Sequence, residues 1–97
     1  MAQGNLPAAL ASYQAEIADA DRLAKSDPSN AGWQRTLSVS YAKLAYAYLK
    51  ANQSTQAREA LSAGRAIIAP LVAKFPDQAQ WTRDLTWFDQ QIAALKQ

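Results

Sequence analysis

The sequence repeats itself at an interval of 48 residues. Pro28 to Leu37 reads PSNAGWQRTL and Pro76 to Leu85 reads PDQAQWTRDL, so Pro28/Pro76, Ala31/Ala79, Trp33/Trp81, Arg35/Arg83 and Leu37/Leu85 fall in register. The same interval sets Leu23 against Leu71 and Tyr13 against Leu61, keeping apolar opposite apolar in the segments before each proline. A unit that recurs in this way buries its apolar face by stacking on its neighbour, which is the logic of a helical solenoid. The length of 97 residues suits one small domain with a single shared core.

Apolar residues recur every three or four positions throughout, so the expected fold is all-α, without a strand candidate. The first helix spans about 6–26, with Asn5 as N-cap, Pro7 in the first turn, and Leu6, Leu10, Tyr13, Ile17 and Ala20 on one face. Asp27-Pro28-Ser29-Asn30 breaks the chain and supplies caps for a second helix, about 31–51, with the stripe Trp33, Leu37, Tyr41, Leu44, Tyr48. After the turn Asn52-Gln53-Ser54, a third helix covers about 55–74 with Ala57, Leu61, Gly64, Ile68, Leu71 and Phe75 on one side, ended by Pro76-Asp77. Pro70 lacks the amide a helix interior needs and is expected to kink that helix or split off its last turn. The fourth helix, about 78–96, carries Trp81, Leu85, Phe88, Ile92 and Leu95, and Asp77 with Gln80 has the form of a capping box. These segments are expected to form antiparallel hairpins, with Trp33 and Trp81 packing equivalently near Leu23 and Leu71.

Composition removes several functions. Much of the apolar content is alanine, which favours helix and close approach but buries little area, so the core is expected to be thin. Ten basic against eight acidic residues give a net charge of +2, too little and too scattered for nucleic acid. The chain has no cysteine and no histidine, which removes disulfides, thiolate chemistry and the commonest transition-metal ligands. Its three glycines form no phosphate-cradling loop, and Asp19 and Asp21, two apart on a helix, do not face each other. Ser40-Tyr41-Ala42-Lys43 spells a Ser-x-x-Lys pattern, but the partner motifs of such acyl-transfer sites are missing and helical spacing already explains the pair. The expectation is a protein without catalytic residues, cofactor or metal. The longest apolar run, Ala66 to Ala73, is far short of the roughly 20 residues a membrane span needs. Met1-Ala2-Gln3-Gly4-Asn5 has no signal-peptide character, which points to the cytoplasm and deprives the glycosylation-like Asn52-Gln53-Ser54 of meaning.

Leu44, Ala45, Tyr48, Asn52, Ala57 and Leu61 stand at the spacing of large, small, aromatic, turn, small and large residues in the tetratricopeptide repeat family, which the chain resembles. Trp33 to Tyr41, with Gly4-Asn5-Leu6 and Asp27-Pro28, is similar more narrowly to bacterial tetratricopeptide proteins with long repeats of about 50 residues, against the usual period of about 34. The chain departs from the family pattern at Ser54, Gly64 and Pro70. Its phase opens on a helix of the second type and closes on one of the first, so the resemblance implies the end of a longer array.

The same resemblance implies a concave surface lined by the first-type helices. Applied here, it points Val39, Ala42, Lys43, Tyr46, Leu49 and Lys50 into the groove, joined by Trp87, Gln90, Gln91 and Ala94. Spacing alone puts Arg35, Lys43, Tyr46 and Lys50 on one side of a helix, which also describes an ordinary solvated face. The partner-binding candidates are Val39, Lys43, Tyr46, Lys50, Trp87 and Gln91. Relatives that clamp a terminal carboxylate carry lysine and asparagine one turn apart, whereas the matching positions hold Ala42 and Tyr46, so such a clamp is not expected. Two functions follow: a scaffold for a protein or peptide partner, or a homo-oligomer formed by stacking or swapping an open solenoid end.

Overall fold

A computed structural model describes residues 6–95 as four helices: α1 (Leu6–Ser26), α2 (Ala31–Lys50), α3 (Ser54–Lys74) and α4 (Ala79–Leu95). The expected Asn5 cap and the end of the fourth helix at residue 96 lie outside the described residues. The all-α hairpin architecture is thus as the periodicity implies. Successive helices pack on one another, α2 also approaches α4, and α1 comes close to neither α3 nor α4. The result is a slab with extents of 39 × 32 × 20 Å, about two helices thick.

Each break has a local cause. Asn30 caps α2, its side-chain oxygen accepting the Trp33 backbone N–H at 3.0 Å. At the far end Asn52 takes φ 61°, the left-handed conformation that asparagine tolerates better than most residues. The amide of Gln53 then reaches the Tyr48 carbonyl at 2.9 Å and that of Asn52 the Leu49 carbonyl at 3.1 Å, a Schellman closure. This closure ends α2 at Lys50 and lets α3 begin at Ser54, one residue earlier than the periodicity suggests.

Three expectations need correction. The Asp77/Gln80 capping box does not form, because the Gln78 carbonyl opens α4 by accepting from Trp81 and Thr82. That register is one residue late for the box, and Gln80 bonds Asp84 and Arg83 instead. Of the two outcomes expected at Pro70, the split does not occur: α3 continues through it to Lys74. Proline and Ala66, whose carbonyl loses its donor, both lie on the exposed side, where water can satisfy that oxygen. Finally, the two tryptophans are not equivalent. Trp81 packs on the core containing Leu71 and meets Phe75 edge-on at 5.6 Å, whereas Trp33 joins neither core cluster and Leu23 is 44% exposed. The position matching Phe75 holds Asp27, so the first unit lacks the aromatic shelf.

The main core joins Leu44 and Ala45 of α2, Ala60, Leu61, Ile68 and Leu71 of α3, and Phe88 of α4. Leu61, Ile68 and Phe88 are essentially inaccessible to water, and each such side chain contributes about 1.5 to 3 kcal/mol by burial. A smaller cluster of Ala20, Ala24 and Leu37 fastens α1 to α2. Alanine at 45 and 57 and glycine at 64 let the helices approach. A Cβ at position 64 would collide with the Phe88 ring. Buried Ser38 donates to the Gly64 carbonyl at 3.0 Å, so no polar side chain is orphaned there.

Candidate partner-binding face

On α2 the residues Thr36, Val39, Lys43, Tyr46 and Lys50, three or four apart, form the stripe left open by α1, α3 and α4. Val39 is half-buried and the others are exposed. The register-matched stripe of α4 holds Trp87, Gln91 and Ala94, and α2 and α4 are neighbours, so the two stripes border one surface. Within it, the candidates Val39 and Trp87 come together. With Arg35, Ala42, Asp84 and Phe88 they line a depression of about 140 Å³. Trp87 is neither buried nor free: half-exposed, it stands edge-on to Phe88 at 5.3 Å.

The remaining candidates lie outside this depression. Tyr46 is 55% exposed, and the Lys50 ammonium sits 5.2 Å from its ring centroid, a cation–π contact that limits the ring's freedom. Lys43 turns towards α1 and pairs with Glu16 at 3.6 Å. Both side chains of that pair are about half exposed, so it is weak and leaves the cation available to a stronger acceptor. Gln91 is half-buried, Leu49 likewise, and Gln90 and Ala94 are exposed.

Sequence reasoning missed Asp84. Arg35, expected on a solvated basic stripe, directs its Nε to Asp84 Oδ2 at 3.0 Å, and the two side chains are only 32% and 17% exposed. This bridge fastens α2 to α4 across the floor of the face. The 48-residue interval held a signal for it: if Val39 and Trp87 are adjacent, so are positions 35 and 83 or 84, and one of those is an acid. Ser40 and Lys43 form no dyad, because the Ser40 hydroxyl donates back to the Thr36 carbonyl at 3.1 Å while Lys43 faces Glu16.

On the opposite side, α1 and α3 leave a wider cleft above α2, lined by Leu37, Tyr41, Ala63 and Ile67 with the Asp21–Lys25 pair at its rim. The Asp21 carboxylate, by hydrogen bond and charge, raises the Lys25 pKa above its ordinary value. No described helix is long and apolar enough to cross a membrane. The architecture defines an all-α helical-repeat protein. No family model, curated protein or solved structure matches the chain.

Proposed function

We propose that the chain is a non-catalytic protein-interaction scaffold that binds a peptide or partner domain on the α2–α4 face. The supporting observation is a depression lined by half-exposed Trp87 and braced by the Arg35–Asp84 bridge, with the exposed aromatic Tyr46 further along the same stripe of α2. Such a surface is rigid before binding, and aromatic anchors beside a small pocket are where binding energy concentrates. The depression is below the roughly 300 Å³ at which small-molecule pockets begin, which favours a single inserted side chain over a metabolite. Membership of the tetratricopeptide repeat family, as a bacterial protein of the cytoplasm, belongs to the same proposal and rests on the residues that carry the resemblance.

Self-association by stacking or swapping of an open solenoid end is the competing reading. Against stacking at the α4 end, the exposed residues of α4 include Thr82, Thr86 and Ala93, polar or small side chains of the kind that terminate a repeat stack. Selection of a random peptide library on the whole chain, with sedimentation equilibrium over a wide concentration range, separates the two. The expected result is a monomer throughout and peptides whose affinity falls by at least about 1 kcal/mol in Tyr46→Ala. Unchanged affinity in Tyr46→Ala, Lys43→Ala and Trp87→Ala moves the site off this face, and mass rising with concentration makes self-association the better account.

A further inference from the structure

Arg35 is held in place and incompletely used. Its Nε donates to Asp84 Oδ2 at 3.0 Å, and Asp84 is itself held through Oδ1 by Gln80 Nε2 at 3.4 Å. The two terminal nitrogens of the guanidinium have no acceptor among the described residues, although they carry most of its donors. A fork fixed from α4, partly open to solvent and bordering an apolar depression, suits a carboxylate next to an apolar side chain, because the pairing is planar and directional. The surrounding charge has the same sense: Arg35, Lys43 and Lys50 stand on this side of α2 against Glu16 and Asp84. From Arg35 to Lys50 the helical rise covers about 22 Å, which an extended chain crosses in about seven residues. The cations therefore track a segment passing along the face, where a single chain end would engage only one of them.

We infer that this face binds an extended acidic segment of a partner protein in which an apolar residue stands next to an internal aspartate or glutamate. The apolar side chain enters between Val39 and Trp87, the neighbouring carboxylate takes the terminal N–H groups of Arg35, and further acids run towards Lys43 and Lys50. The inference rests on the α2–α4 face being the docking surface. It adds the chemistry of the occupant.

The test is an amide NMR titration of the whole chain with the blocked peptide acetyl-Gly-Glu-Asp-Leu-Asp-Glu-Gly-amide. Its glutamine and asparagine counterpart, a version with serine for leucine, and one with a free C-terminus complete the set. Shifts are expected at Val39, Ala42 and the Trp87 indole, with affinity weakened at least about tenfold when the acids become amides, since hydrogen bonds to charged groups are worth that factor or more. The leucine-to-serine peptide should weaken likewise, and Arg35→Leu should remove the preference for acid over amide. Because Arg35→Leu also loosens α4, Val39→Asp at the rim provides a second arm, in which the acidic peptide weakens more than the amide one. Equal affinity for acid and amide peptides, a requirement for the free C-terminus, or no binding of the acidic peptide overturns the inference. If neutral peptides from the random library still map to this face, the scaffold reading survives that result. Shifts confined to the α1–α3 cleft defeat both.

Discussion

The unit α1–turn–α2 and the unit α3–turn–α4 share a register of proline, alanine, tryptophan, arginine and leucine, yet they are built differently where they touch their neighbours. In the second unit Gly64 admits the Phe88 ring, Phe75 provides an edge for Trp81, and α4 begins without a side-chain cap among the described hydrogen bonds. In the first unit the matching positions hold Glu16, Ser40, Asp27 and Asn30. Glu16 meets Lys43, Ser40 bonds its own helix, Asp27 accepts from Ser29, and Asn30 caps. The shared residues specify a helical hairpin. The differing ones decide whether that hairpin receives another helix or faces water.

The largest expected difference is at the glycine. Gly64→Ala gains the better helix propensity of alanine, about 1 kcal/mol, but drives a methyl into a fully buried ring and should lower stability by about 1 to 3 kcal/mol net. Glu16→Ala, at the matching exposed position, should change it by no more than about 0.5 kcal/mol. Urea unfolding of both variants measures the contrast, and Gly64→Ala/Phe88→Leu should recover part of the loss if the ring is its cause. Equal effects at 16 and 64 would show that the two units pack alike after all.

The caps should differ by less. Asn30→Ala removes the acceptor for the Trp33 amide and should cost about 1 kcal/mol, whereas Gln78→Ala should be close to neutral because among the described residues Gln78 bonds α4 through its backbone carbonyl and not its side chain. Thermal unfolding of the two variants side by side checks this, and a larger loss at Gln78 would sink it.

The smallest expected effect is a coupling. A double-mutant cycle on Phe75 and Trp81 should give about 0.5 to 1.5 kcal/mol for the edge-on ring pair, and the matching cycle on Asp27 and Trp33 should give none. Coupling of similar size in both cycles would mean that Trp33 has a shelf of another kind.

Repetition and periodicity alone determined that the chain is all helix, that it breaks near Asn30, Asn52 and Pro76, and that α2 and α4 are equivalent elements; that their stripes share a surface was implied by the family resemblance. These features are local or translational: a 3.6-residue period, a cap and a repeat interval can all be read along one dimension. Val39 and Trp87 were legible as equivalent positions for that reason, and as members of one surface through the resemblance. Only the tertiary structure decided that Arg35 bridges to Asp84, that Lys43 turns to Glu16, that Phe88 closes over Gly64, and that Trp33 and Trp81 part company. Each of these depends on the distance and facing of two helices far apart in sequence. That geometry is fixed by the sum of side-chain volumes between the helices, which no single position in the chain encodes.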